Sequence, residues 1–139
     1  TLSLHDALPI FGNNVRSLTS DEIQSLERAG NRCEDWNRIR VANDFFTGNI
    51  TNCVFSGDCI IGRIDGTEIE IEPNVMLRPH LRNSTIIASE IGNSCIISSA
   101  HIISRALICH NAIIVNTGCI TASSQTGSPC VSKTFKRAK

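Results

Sequence analysis

Apolar residues recur at a fixed spacing from Asn49 onward, in short runs broken by Gly, Asn, Ser and Pro. The repeating unit has an apolar residue at position i, a small or β-branched residue at i+4 and an aliphatic residue at i+6. Four clear copies occupy Phe55–Ile61, Ile71–Leu77, Ile91–Ile97 and Ile108–Ile114, and a partial copy occupies Leu81–Ile87. The clear copies begin 16, 20 and 17 residues apart, close to three hexapeptides per step. This spacing predicts a mainly β fold, a left-handed parallel β-helix over residues 49–120, in which equivalent residues stack from coil to coil.

A helical pattern precedes the repeats, over residues 11–48. Thr19 and Glu22 fit a capping box, an apolar stripe with Leu26 follows, and Gly30 ends the pattern. We predict a short helix there and a second helical turn at Glu34–Arg38, held to the rest of the chain by Trp36. Helices this short are marginal in isolation, so both must pack against the repeats.

The two ends of the chain differ from the rest. Residues 1–10 resemble the conceptual translation of a common sequencing adapter, and we exclude them from the fold. The only lysines are Lys133, Lys136 and Lys139, and residues 121–139 lose the repeat. We predict that this tail contributes nothing to the fold, as a disordered or non-native segment.

Composition narrows the possible functions. Hydrophobic residues make up 41% of the chain and aromatic residues 4%, which favours thin β layers over a helical bundle. The formal net charge of zero gives no electrostatic reason to expect nucleic acid or an acidic membrane as a partner. No stretch is apolar enough to span a bilayer.

The chain has seven cysteines, with no Cys-x-x-Cys pair and no histidine pair at zinc-finger spacing. The odd number and the absence of a signal peptide predict reduced thiols, a cytoplasmic protein and no metal site. Cys53, Cys59, Cys95 and Cys109 lie among isoleucines, where a thiol acts as a small buried hydrophobe.

The repeats resemble those of the hexapeptide-repeat superfamily, which includes acyltransferases and the repeat domains of sugar nucleotidyltransferases. A closer resemblance spans residues 15–120. There, Val15–Glu27, Cys33–Trp36 and Asn49–Gly57 resemble the start of a large bacterial family known only as a domain of unknown function, whose members are several times longer. The resemblance implies a fragment whose coils stack on others of a longer chain, or on other copies in a homotrimer.

The same superfamily suggests a candidate site. In hexapeptide acyltransferases, a hexad of the form aliphatic-x-His-(Asn or Asp)-x-x-aliphatic carries the catalytic histidine, and Ile108–Ile114 resembles it. The resemblance implies His110 as general base and Asn111 as a residue that hydrogen-bonds the substrate, with an acyl thioester or sugar nucleotide as donor. Alternatively, His110 is a solvated corner residue, since Gly57 and Asn93 occupy its position in other copies.

The other polar residues are weaker candidates for a functional site. Glu68–Glu72 alternates Glu and Ile, which predicts a strand with three carboxylates on one face, solvated or bound to a cation. His80 is expected at the surface, and His101 is expected to be a strained inward residue or a break in the repeat. Phosphate loops and nucleophile elbows are absent from the sequence. Two function classes remain, a hexapeptide-type transferase acting on a small molecule and a non-catalytic scaffold.

Overall fold

The computed structural model describes residues 11, 14–121 and 131–135. Within them the fold is mainly β, as predicted, with one α-helix and one turn of 3₁₀ helix. The elements in chain order are β1 (Val15–Ser17), α1 (Ser20–Arg28), β2 (Arg32–Cys33), the 3₁₀ turn (Trp36–Arg38), β3 (Ile39–Ala42), β4 (Ile50–Thr51), β5 (Val54–Ser56), β6 (Cys59–Ile61), β7 (Ile69–Glu72), β8 (Val75–Leu77), β9 (His80–Arg82), β10 (Thr85–Ile87), β11 (Glu90–Ile91), β12 (Ile96–Ser98), β13 (Ile102–Ser104), β14 (Leu107–Val115), β15 (Cys119–Thr121) and β16 (Val131–Phe135).

Most of the strands stack in parallel into three groups, here called ladders. Ladder 1 contains β3, β6, β11 and the first part of β14. Ladder 2 contains β4, β9, β12, the second part of β14, and β16. Ladder 3 contains β2, β5, β10, β13 and β15. Because β14 belongs to two ladders, ladders 1 and 2 join into one sheet that curls around the core, and β1, antiparallel to β3, is its ninth strand.

The strand register shows a regular circuit through the ladders. Glu90 pairs with Leu107, Ile96 with Ile113, and Ile86 with Ile103, each 17 residues further along the chain. The chain passes from ladder 2 to ladder 3, then to ladder 1 and back to ladder 2. One circuit therefore uses close to the three hexapeptides that the repeat predicts.

Left-handed residues mark the three corners between the ladders. Corner A, from ladder 2 to ladder 3, contains Asn52, Asn83, Ser99 and Asn116; corner B, from ladder 3 to ladder 1, contains Gly57, Ala88 and Arg105; corner C, from ladder 1 to ladder 2, contains Ser94 and Asn111. All have φ between 46° and 71°. Gly has no Cβ to clash in this conformation, and Asn tolerates it better than most residues.

The core consists of inward side chains stacked along each ladder. Its main columns are Val41, Ile61, Ile91 and Ile108 in ladder 1, Ile50, Leu81, Ile97 and Ile114 in ladder 2, and Phe55, Ile86, Ile103 and Ile120 in ladder 3. All are buried. The i and i+6 positions of the repeats at Phe55, Ile91 and Ile108 therefore face the core, as predicted.

The repeat expected at Ile71–Leu77 is wrong. This segment lies in an antiparallel hairpin of β7 and β8, inserted at corner C. Val54 pairs with Thr85, 31 residues along, so this circuit holds the hairpin and still returns to register. The Glu-Ile alternation does form a strand, and Pro73 followed by Asn74 at φ 66° makes the two-residue turn.

The helix and the helical turn form within residues 11–48, as predicted, but this segment is not a purely helical leader, because its strands β2 and β3 already belong to ladders 3 and 1. Thr19 accepts a hydrogen bond from the backbone N–H of Glu22, which completes the capping box. Leu26 is buried in the core, and Trp36 packs on Phe55 with ring centroids 6.1 Å apart. The buried Asn31 side chain joins the leader to the repeats, donating to the Leu26 and Ile50 carbonyls and accepting from the Cys53 N–H.

The fold extends beyond the repeat pattern at its C-terminal end. The pattern predicts that residues 121–139 contribute nothing to the fold, whereas Thr121 ends β15 and Val131–Phe135 forms β16, parallel to β14. The adapter-like residues 1–10 lie outside the described residues.

The corners give a first testable prediction. Asn83 is exposed and left-handed at φ 53°, so Asn83→Ala should lower the free energy of unfolding by about 1 kcal/mol, since Ala tolerates this conformation poorly. Asn83→Gly is the matched control and should cost less, because Gly adopts positive φ freely. Urea unfolding of the two variants measures the difference. Equal losses would contradict a conformational role for this corner.

Candidate functional site

His110 and Asn111 lie together on corner C, where β14 turns from ladder 1 into ladder 2. Both side chains are exposed. Asn111 adopts φ 62°, and its backbone N–H donates to the Asn93 carbonyl at 2.8 Å. Asn111 therefore has a conformational role that is independent of any substrate.

A chain of hydrogen bonds links His110 to the preceding circuits. The backbone N–H of Asn93 donates to Nδ1 of His110 at 2.8 Å. The side-chain oxygen of Asn93 accepts from the backbone N–H of Arg63, also at 2.8 Å. Corner C thus connects three successive circuits through the backbone and side chain of Asn93.

This arrangement fixes the tautomer of the neutral imidazole. A backbone N–H can only donate, so Nδ1 of His110 must supply the lone pair and Nε2 carries the proton. The ring also packs edge-to-face on Phe11, with centroids 5.3 Å apart and an interplanar angle of 86°. Nε2–H is the polar edge of His110 that remains for a ligand.

Glycine at position 92 permits the close approach on which this geometry depends. A Cβ at Gly92 would lie 2.5 Å from the backbone nitrogen of His110 and 2.7 Å from the carbonyl carbon of Cys109. Contacts this short with backbone atoms require the circuits to separate. Gly92 therefore positions His110 over Asn93.

The charged groups near corner C are engaged elsewhere. Among the described residues, no carboxylate hydrogen-bonds His110. The guanidinium of Arg63 donates to the Asp44 carbonyl at 2.6 Å and to Asp65 at 3.1 Å, and it lies over the Phe46 ring. The Arg63 guanidinium is thus already bound to neighbouring groups of its own segment.

A cleft that the sequence did not predict lies elsewhere. It has a volume of about 240 Å³ and is lined by Asn37, Arg38, Arg40, Asp58 and Cys59. Arg38 and Asp58 form an exposed ion pair across it at 3.0 Å. Neither His110 nor Asn111 lines this cleft, so the structure does not bring the predicted site residues into it.

The cysteines offer little reactivity where they are buried. Cys53, Cys59 and Cys95 are free and buried, as predicted, and burial raises the pKa of Cys53 to about 11 and that of Cys95 to about 12. Cys109 is disulfide-bonded, which corrects the expectation that every thiol is reduced. In the described part of the chain, His, Cys, Asp and Glu side chains do not form a group of three suited to a metal ion.

Two further histidines lie within the described residues. His101 is exposed, because it is an extra residue between the buried Ala100 and the strand β13, which agrees with a break in the repeat rather than a strained inward residue. His80 is buried, not at the surface, with 8% of its area exposed. Its Nδ1 donates to the Arg78 carbonyl at 2.7 Å, and its buried Nε2 has no hydrogen-bond partner among the described residues.

His80 predicts a pH dependence of stability. Burial lowers the pKa of His80 below its ordinary value of 6.5, the positive charge of Arg82 adds to this, and the bond to the Arg78 carbonyl opposes it. A depressed histidine pKa means that the unfolded chain binds the proton first. Stability should therefore be complete above about pH 6.5 and decline as the pH falls toward the folded-state pKa.

Urea unfolding at pH 7.5 and 5.5 tests this for wild type and His80→Gln. The wild type should lose more stability between the two values than the variant, which cannot titrate at this position. An identical pH dependence would show that His80 is not the group responsible.

In the part of the chain that the structure describes, the helices are too short or too polar to cross a membrane.

The comparisons with known proteins identify a family. Residues 15–131 match the family described as Domain of unknown function (DUF4954). An uncharacterized protein of Treponema pallidum (strain Nichols) is 26% identical over 115 residues, which make up 81% of this chain but only 16% of that relative. No solved structure matches the chain. Since the family match covers most of the sequence, the chain belongs to the family Domain of unknown function (DUF4954).

Proposed function

We propose that the three ladders form a left-handed parallel β-helix of the hexapeptide type and act as a non-catalytic scaffold for a binding partner. Three observations support the architecture: the parallel ladders, the 17-residue circuits and the left-handed residues at each corner. They agree with the resemblance of the repeats to hexapeptide-repeat proteins. The scaffold function rests on the chemistry of corner C.

The hydrogen bond from Asn93 to Nδ1 of His110 carries this proposal. A general base in contact with an acceptor hydroxyl needs a lone pair on its exposed nitrogen. In neutral His110 the lone pair is on Nδ1 and is already used, while Nε2 carries the proton. Moving the proton to Nδ1 would set two N–H groups against each other.

The surroundings of His110 support the same function. Where a histidine acts as a base, a third group usually orients it and stabilises the cation that forms. Within the described residues, the recorded partners of the His110 ring are a backbone N–H and the Phe11 ring, neither of which stabilises a positive charge through a hydrogen bond. His110 is thus suited to donating one hydrogen bond from a rigid corner.

A transferase remains the second candidate, because His110 is exposed in a hexad that resembles the catalytic one. Nε2–H would then bind a carbonyl of an acyl thioester or a phosphate oxygen of a sugar nucleotide, with Asn111 beside it. A neighbouring copy or coil would complete the groove. In a longer protein carrying this segment, His110→Ala would then lower turnover by roughly 10²–10⁴-fold.

The tautomer of His110 distinguishes the two functions. Nitrogen-15 NMR of the imidazole at pH 8 should show the proton on Nε2 and an unprotonated Nδ1 that accepts the hydrogen bond from Asn93. Asn93→Pro removes the donating N–H, so this variant should lose the tautomer preference; if it does not fold, Gly92→Ala provides a second way to displace His110 from Asn93. A wild-type proton on Nδ1 would contradict the scaffold proposal and favour the transferase.

A further inference from the structure

The hairpin of β7 and β8, residues 69–77 and here called the hairpin arm, stands apart from the ladders. It forms a two-stranded sheet of its own, and none of its residues is buried. A two-stranded hairpin is at best marginally stable in water by itself. Packing against a surface outside the ladder core would therefore stabilise the arm.

The two faces of the arm differ in chemistry. Ile69 pairs with Leu77 on one face, and both side chains are partly buried. Glu70 pairs with Met76 on the other face, and 47% of the Met76 area is exposed. Val75 at the turn is 40% exposed. The outer face thus combines exposed apolar groups with carboxylate charge.

The outer surface of ladder 3 is its chemical complement. Its outward residues from β5 to β13, here called the ladder 3 face, are Val54, Ser56, Thr85, Ile87, Ile102 and Ser104. None of them is charged or buried, and 43% of the Val54 area is exposed. This surface consists of branched and hydroxyl side chains, and at its β5 edge the Ser56 hydroxyl donates to the Glu34 carboxylate at 2.8 Å.

Two arginines border the ladder 3 face. Arg82 lies at the end of β9, immediately before corner A, and Arg105 forms corner B. Both are exposed, and neither forms an ion pair with another described residue. The ladder 3 face thus has apolar groups with a positive charge on either side. The arm has apolar groups next to negative charges.

We propose that the hairpin arm of one copy lies on the ladder 3 face of a second copy. Met76 and Val75 would cover the apolar strip, and Glu68 and Glu70 would pair with Arg82 and Arg105. The arm leaves the fold at corner C, opposite ladder 3, so the core separates it from its own ladder 3 face. The complementary surface it reaches therefore belongs to another molecule.

The dimensions of the two surfaces agree. Four residues of strand extend about 13 Å, and two paired strands with their side chains are about 10 Å wide. The three stacked strands of the ladder 3 face span about 10 Å between the outer two. This footprint is small beside the roughly 800 Å² per partner of a standard interface, so association should be weak and depend on concentration. The two surfaces differ, so the contact is head-to-tail and closes only as a ring.

Sedimentation velocity of the 139-residue chain, from micromolar to millimolar concentration, tests the proposal. The wild type should associate reversibly. Glu68→Arg with Glu70→Arg should weaken association about tenfold or more, as should Arg82→Glu with Arg105→Glu, because each places like charges together. Combining all four substitutions should restore association, since the charges are exchanged and remain complementary.

Two further variants distinguish loss of the proposed contact from a general effect of changed charge. Asp44→Arg reverses an exposed charge outside both surfaces and should leave association unchanged. Met76→Ser should weaken association without changing charge. Circular dichroism of each variant verifies folding, and Met76→Ser keeps the proposal testable if a charge variant does not fold. A wild type that stays monomeric, or charge variants that associate like the wild type, would overturn it.

Discussion

The fold depends on one repeated backbone contact, the hydrogen bond that most left-handed corner residues make to the preceding circuit. The N–H of Asn83 donates to Thr51, that of Ser99 to Arg82 and that of Asn116 to Ser98, always one circuit back. Because of these bonds, the backbone pairing between successive circuits continues through the corner, although the extended strand itself ends there. The circuits therefore stay in register, and the isoleucine columns can align. The fold places Ala88 and Arg105 in the same conformation, although neither residue favours it, which shows that stacking outweighs local preference there.

The fold also requires small residues directly after the corners, where the side chain points into the core. Cys59, Ser89 and Ala106 follow corner B in successive circuits, and all are buried. The hydroxyl of Ser89 accepts from the backbone N–H of Ala106 and donates to the Ile87 carbonyl, so a polar side chain is accommodated in the apolar core. Cysteine occupies the same type of position as a small apolar group. Its thiol is protonated and shielded there, which explains why a cysteine-rich chain shows no reactive cluster among its described buried residues.

Corners also allow variation without disturbing the core. The hairpin arm is inserted at corner C, yet Ile60 still pairs with Glu90 and Ile50 with Leu81 across the longer circuit. The same corner holds His110 one circuit further, fixed by Asn93 and by the close approach at Gly92. Insertions and polar side chains thus collect at the corners, while the ladders keep their spacing.

The sequence alone determined the local chemistry and the period of the fold. The capping box at Thr19, the alternation in β7, and the inward positions of Ile91 and Ile108 follow from short-range preferences and from the burial of apolar groups. It also placed His110 at an exposed corner. The tertiary structure decided which circuits lie together, since this depends on contacts between residues far apart in sequence. It therefore made Ile71–Leu77 an arm, buried His80, and set the Asn93 N–H against Nδ1 of His110. That last contact controls which nitrogen of His110 carries the proton, and a hexapeptide pattern cannot specify it.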